Sequence, residues 1–232
     1  MIRKLIRFSV ERPRVVMALT ALAVVVACAQ FFRIKVDTDP ENMLSAGHPD
    51  RVFHNRTRAE FALHDFVVLG IVDESNPDGV FTAGTLGRVY AITERIRRID
   101  GVIAPELISP STKEDIEQAG VGAISFGWLM PRPPATDDQA RHIRERALAN
   151  PMYAGSMVSD DGKALALYVP IERKDMSWRV SREIRAIVDG VTGGTGPERY
   201  YITGLPVAED TFGHEMFVQM AVSAPLAAVV IL

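Results

Sequence analysis

The side chains able to do chemistry are few and scattered. There are five histidines, His48, His54, His64, His142 and His214, and one cysteine, Cys28. A zinc centre needs His, Cys or carboxylate ligands at set intervals such as H-E-x-x-H, and none of those spacings occurs. His64-Asp65 places an imidazole beside a carboxylate, two parts of a hydrolytic triad. No serine lies in the G-x-S-x-G turn that would expose a nucleophile, so His64 reads as an ordinary surface residue. Asp37, Asp39 and Glu41 could bind a cation, although alternating acids beside an apolar run more commonly form its solvated boundary. Residues 193–196 are glycine-rich but lack the Lys-Ser/Thr of a phosphate loop, and Asn55-Arg56-Thr57 matches the glycosylation sequon. The sequence predicts neither an enzyme nor a cofactor or metal centre.

An apolar surface is the remaining candidate for a site. Residues 120–134 form an apolar segment punctuated by Gly and Pro, and exposed apolar patches tend to mark contacts with ligands, partners or membrane. Phe126, Trp128 and Met130 are therefore the candidate substrate-path residues. The alternative is that they fold back to complete the core.

Two apolar runs frame everything else, residues 15–32 near the start and residues 217–232 at the end. Arg3, Lys4, Arg7, Arg12 and Arg14 precede the first, whereas Asp37, Asp39 and Glu41 outweigh Arg33 and Lys35 after it. Because Lys and Arg near a membrane segment favour the cytoplasmic side, residues 1–14 are expected in the cytoplasm, 15–32 as a transmembrane helix and 33–212 as an exported, periplasmic domain. Residues 213–232 then begin a second membrane helix, cut short, which makes the chain the front piece of a longer polytopic protein. A basic start, an apolar stretch and Ala27-Cys28-Ala29 also fit a cleaved signal peptide, and Val25-Val26-Ala27-Cys28 resembles a lipobox. The second apolar run favours a retained helix. Neither run contains Asp, Glu, Lys, Arg or His, so no intramembrane ionisable residue points to a proton path, and Gln219 reads as interfacial. With 47% hydrophobic residues and a net charge of −3, nothing suggests a nucleic-acid partner.

The domain between the runs shows a regular succession. Residues 66–72 are a continuous apolar run suited to a buried strand, and Asn76-Pro77-Asp78-Gly79 is a turn by composition. Leu86, Val89, Thr93, Ile96 and Ile99 recur at helical spacing over 82–99, with Gly101 as the stop. Residues 102–109 read as a second strand. An insertion at about 110–150 follows, in which Ser111 with Glu114 and Thr136 with Gln139 match the capping-box spacing and predict two short helices, the second running to Ala149. Residues 157–159 and 164–169 flank Asp160-Asp161-Gly162-Lys163, an Asp-Gly hairpin signal. A helix over 177–191 with Val180, Ile184, Ile187 and Val191 on one face, a break at 193–197 and a strand at 200–203 complete the domain. Strand, helix, strand, insertion, strand, strand, helix, strand is a split β-α-β, ferredoxin-like order in an α+β fold.

Taken in order, the basic start and first helix, Val36-Asp37-Thr38-Asp39, the Leu44-containing acidic link, the β-α-β opening at 61–72, the Val158–Lys163 hairpin and Thr203-Gly204-Leu205-Pro206 before a helix with Pro225-Leu226 resemble the front of a resistance-nodulation-division (RND) superfamily exporter. The MMPL-like and hopanoid-transporter-like branch is the most similar. The resemblance covers nearly the whole chain. It implies a proton-driven (antiport) efflux protein of the bacterial inner membrane in which this chain supplies the first helix, the first porter domain and the start of the second helix. Its partners would be the lipid bilayer, the remaining transmembrane bundle and second porter domain of the same chain, a hydrophobic small molecule or lipid substrate, and further copies in a homo-oligomer. The proton-carrying acids would lie in later helices. Two other classes stay open: an extracytoplasmic ligand-binding domain of a membrane sensor, and a lipoprotein or secreted binding module cleaved near Cys28.

Overall fold

The computed structural model describes residues 10–31, 40–120 and 123–231. They fall into two compact units, residues 1–42 and 43–232. The basic residues 1–9 and the Val36-Asp37-Thr38-Asp39 segment lie outside the described residues.

In the first unit, helix α1 (Pro13–Phe31) opens on a proline, whose missing N–H is no loss in a first turn. Residues Pro13–Gln30 are long and apolar enough to cross a membrane by length and composition, and none of that span is buried. A signal sequence meets the same criterion.

The second unit is a mixed α+β domain. Its elements are α2 (Pro49–Glu60), β1 (Asp65–Val72), α3 (Ala83–Ile96), β2 (Glu114–Gly120), β3 (Ala123–Trp128), α4 (Asp137–Ala149), β4 (Ala164–Ile171), α5 (Ser177–Thr192), β5 (Arg199–Thr203) and α6 (Leu205–Ile231). Strands β4, β1 and β5 form an antiparallel sheet with β1 in the middle. Side chains alternate across a strand, so Val67, Leu69 and Ile71 of β1 and Leu165, Leu167 and Val169 of β4 are buried on one face. Leu86, Val89, Ile92 and Ile96 of α3 and Val180, Ile184 and Val188 of α5 belong to the same core. Each such aliphatic side chain, fully buried, contributes about 1.5–3 kcal/mol. Thr93, the one polar residue on the predicted face of α3, is buried because its Oγ1 donates to the Val89 carbonyl at 2.8 Å.

The helix boundaries follow from caps. The Thr82 hydroxyl accepts from the Thr85 N–H at 3.1 Å, and α5 ends at Gly193, whose φ of +60° returns its N–H to Asp189. At α4, Thr136 accepts from the Gln139 N–H at 3.4 Å, while the Gln139 amide reaches one residue further back, to the Ala135 N–H, at 2.8 Å.

Three expectations are corrected. Residues 102–109 are not a strand: they pair with β4 only at the bridges Val102↔Ile171 and Ile108↔Tyr168, with a 3-10 turn at Ala104–Glu106 between them. Pro105 has no N–H to give a ladder, so the edge breaks there. The capping-box spacing at Ser111 and Glu114 starts no helix. The Thr112 hydroxyl instead donates to the Leu107 carbonyl at 2.6 Å and accepts from the Ser109 N–H at 3.0 Å, making a turn, and Glu114 opens the β2–β3 hairpin. Of residues 157–159, only Val158 bridges to β4, although the Asp161-Gly162 turn itself is present, with Gly162 at φ +74°.

Helix α6 starts at Leu205, directly after β5, and runs without a break into the second apolar run. From residue 213 to 230 its residues are exposed except Gly213 and Phe217. Among the described residues α1 alone meets the membrane-span criterion.

Two turns lean on each other. The Val80 N–H donates to the Gly162 carbonyl at 3.2 Å, and a Cβ on Gly79, at φ +58°, would stand 2.2 Å from that oxygen. A Cβ on Gly162 would instead meet the movable Arg144 side chain. Gly79→Ala is therefore expected to cost about 3 kcal/mol and lower the melting temperature by about 6–12 °C, with Gly162→Val costing about half as much. Gly87→Ala, a helical site with open space around it, should raise the melting temperature slightly. Thermal denaturation of the three variants checks the ranking.

Candidate functional site: an apolar groove beside a hairpin

The β2–β3 hairpin has two unlike faces. In its register Ile116 lies opposite Phe126 and Glu114 opposite Trp128, and paired residues share a face. Ile116, Phe126 and Trp128 are 64%, 71% and 46% exposed, so this face is apolar and open. The other face carries Asp115, which is buried. Asp115 Oδ2 accepts from Arg146 Nε at 2.9 Å and Nη2 at 2.8 Å, and its Oδ1 accepts from Asn150 Nδ2 at 3.1 Å. The Tyr153 hydroxyl donates to the Glu114 carbonyl. Backbone bonds from Leu129 to Lys113 and from Met130 to Pro110 close the base. One carboxylate with three donors, one phenol and two backbone bonds thus fix where the hairpin leaves the body.

Beside it lies an open groove of about 700 Å³, lined by Phe66, Ile108, Lys113, Glu114, Ile116, Asn150, Met152, Tyr153, Ser156, Met157 and Tyr168. Phe66 and Tyr168 sit on the sheet face turned away from α3 and α5, ring against ring at 6.2 Å and perpendicular. The groove's hydroxyls are committed to the backbone: Tyr168 donates to the Ser156 carbonyl at 2.9 Å and Ser156 to the Met152 carbonyl at 2.6 Å. Its chemistry is that of apolar contact with charge only at Lys113 and Glu114. Volumes of this order suit a single small ligand.

The three candidate residues from the sequence divide. Phe126 and Trp128 are on the open hairpin face, whereas Met130 is fully buried and belongs to the core. The groove residues Phe66, Ile108, Ile116, Met152 and Tyr168 carry no site signal in the sequence. A signal for the hairpin existed, since Ile124, Phe126 and Trp128 alternate with Ser125 and Gly127, the period of a strand.

Elsewhere the chemistry-bearing side chains serve the fold. His64 and Asp65 diverge, His64 Nε2 lying 3.4 Å from Glu106 and Asp65 pairing with Arg58. His48 caps α2 by accepting from the Asp50 N–H at 3.4 Å. Cys28 is exposed on α1, and among the described residues no three His, Cys, Asp or Glu gather as a metal-holding group. A buried carboxylate, Glu198, accepts from Thr85 and Arg88 and ties β5 to the start of α3. Burial, then the charge of Glu198, pushes the neighbouring Tyr200 phenol upward.

In comparison with known proteins, no family model matches the chain and no curated protein matches it.

The Tyr153 phenol is held above the ordinary value of 10.0, chiefly by burial and then by the charges of Asp115 and Glu114. A proton bound more tightly in the folded state contributes stability that is complete below pH 10 and is lost as pH rises through the raised value. Urea melts well above pH 10, set against neutral pH, should show wild type losing more stability than Tyr153→Phe. Asp115→Ala, which strands a partly buried guanidinium, should cost about 2–3 kcal/mol at neutral pH. An unchanged urea midpoint would dissolve the proposed anchoring of the hairpin.

Proposed function

We propose that the chain is the first membrane helix and first porter domain of a proton-driven RND-type exporter of hydrophobic or lipid-like molecules, placed in the bacterial inner membrane with its N-terminus in the cytoplasm and its main domain in the periplasm. The apolar groove flanked by the hairpin carries the proposal: it offers a cargo a shaped, mostly apolar surface. Apolar cargo is drawn to such a surface because its contact area leaves water, at about 25 cal/mol per Å².

The topology supports a ferredoxin-like origin for the domain. With residues 102–108 counted as a broken edge strand next to β4, the antiparallel order becomes edge, β4, β1, β5, and each half of the fold is a strand, a helix and a strand. Helix α1 supports the anchor, being apolar on all sides and unburied. In this scheme the proton-carrying acids belong to helices other than those of this chain, and the domain takes part by moving as a body and reshaping the groove. Mass spectrometry of the protein from membranes is expected to find Met1 or Ile2 at the N-terminus. A diacylglyceryl-modified Cys28 would favour the lipoprotein instead.

Export is testable in cells that carry the complete reading frame. Ile116→Asp and Met152→Asp place a carboxylate in the groove, which costs at least about 1.4 kcal/mol for an apolar cargo. The energised efflux of a hydrophobic fluorophore should fall about tenfold at equal membrane abundance. Unaltered efflux in both variants would remove the groove from the transport path.

A further inference from the structure

The groove is lined by one cation and one anion. Lys113 and Glu114 both line it, and neither has an ion pair or a side-chain hydrogen bond among the described residues, with each other or with any neighbour. Asp115 and Arg146 pair with one another on the other face of the hairpin. The other lining residues are apolar, have a hydroxyl bound to backbone, or, at Asn150, have the amide bound to Asp115. A ligand therefore meets an apolar bed of Phe66, Ile108, Ile116, Met152 and Tyr168 together with two charges of opposite sign on consecutive residues.

That pattern discriminates between head groups. An anionic head gains from Lys113 but is repelled by Glu114, and a cationic head meets the reverse. A head carrying both signs can satisfy both side chains, and charge-assisted contacts are about twice as strong as neutral ones. We infer that the groove binds a zwitterionic single-chain amphiphile of the phosphocholine or phosphoethanolamine type, its phosphate at Lys113, its ammonium at Glu114 and its chain along Phe66, Ile108, Ile116, Met152 and Tyr168. One chain and not two follows from the volume of about 700 Å³, which lies within the range of sites for single small ligands. The inference rests on the export reading and specifies its cargo.

Trp128 provides the probe, since it lies directly opposite Glu114 on the open face. Trp178, the other tryptophan, lies on α5 beneath the Arg182 guanidinium and is removed by Trp178→Phe. The full chain is placed in nanodiscs of phosphatidylglycerol. Lysophosphatidylcholine with bromine on the acyl carbons nearest its head, at submicellar concentration, is compared with a fatty acid and a fatty alcohol brominated at the same place. Saturable quenching of Trp128 by the zwitterion is expected at a free concentration about tenfold below that of the acid or alcohol, a difference of about 1.4 kcal/mol. Lys113→Gln and Glu114→Gln should each abolish that preference, and Lys113→Arg and Glu114→Asp should keep it. Equal quenching by all three amphiphiles, or a preference for the acid lost only in Lys113→Gln, overturns the head-group inference and leaves the groove standing. Absence of saturable quenching by any of them, or quenching untouched by Ile116→Asp, overturns the groove itself.

Discussion

An antiparallel sheet has two faces, and here helices bury only one. Val67, Leu69 and Ile71 point into a core shared with α3 and α5, while Phe66, Val68, Gly70 and Tyr168 fall on the far side and stay partly exposed. A solvated face normally turns polar. This one does so only along β5, where Arg199, Tyr201 and Thr203 share the face; along β1 and β4, Val68, Gly70, Val72, Ala164 and Ala166 are all apolar or small on it. The groove is the part of that uncovered face closed in by Ile108, the hairpin and the 152–157 segment, so its existence depends directly on the one-sidedness of the sheet.

The broken edge at residues 102–109 matters for the same reason. A full strand there would have carried the ladder on beside β4 and brought its side chains level with the sheet. Pro105 and the 3-10 turn lift the chain between two bridges instead, and Ile108 returns at Tyr168 as one wall of the groove. The opposite wall is anchored by Asp115. A buried carboxylate is costly unless its charge is paired and its oxygens bonded, and Arg146, Asn150 and the helix that carries Arg146 meet both needs. Because that cost is recovered only when the hairpin leaves the body in one position, the ionic anchor selects a geometry more than it adds stability.

The sequence made the core legible and left the site hidden, for one physical reason. Apolar patterning reports burial against a continuous neighbour, and so β1, α3, β4, α5 and β5 lie within a few residues of where the sequence predicts them, with Val188 joining the face of Val180 and Ile184. The site is made where neighbours are discontinuous. Ile116 is a lone apolar residue among Glu114, Asp115 and Glu117 and has meaning only once Phe126 is placed across from it. Phe66 belongs to a run that reads as uniformly buried, and only the absence of helices on one side separates it from Val67. Ser111 and Glu114 show the converse failure: a genuine capping spacing was overruled because the Thr112 hydroxyl found a better acceptor in the Leu107 carbonyl. Met130, two residues beyond Trp128, differs from it only in lying past the end of β3, where the chain turns back under the domain.

Helix α6 sets how such a domain could be moved. A flexible linker would dissipate any displacement, but Gly204 joins β5 to α6 with no spare residue, and its φ of +126° lets the chain pass where a Cβ would lie 2.3 Å from the Phe66 carbonyl. Two turns further on, the Ser177 hydroxyl donates to Asp210, and Lys174 lies 3.6 Å from Glu209 with both side chains mostly buried. The start of α6 is thereby tied to the start of α5 as well as to β5. Any tilt of α6 must turn the sheet and α5 together or break a largely buried ion pair, which is the costlier course. Phe66, whose carbonyl sets the limit at Gly204, also lines the groove, so the residue nearest the lever is one that would feel it first.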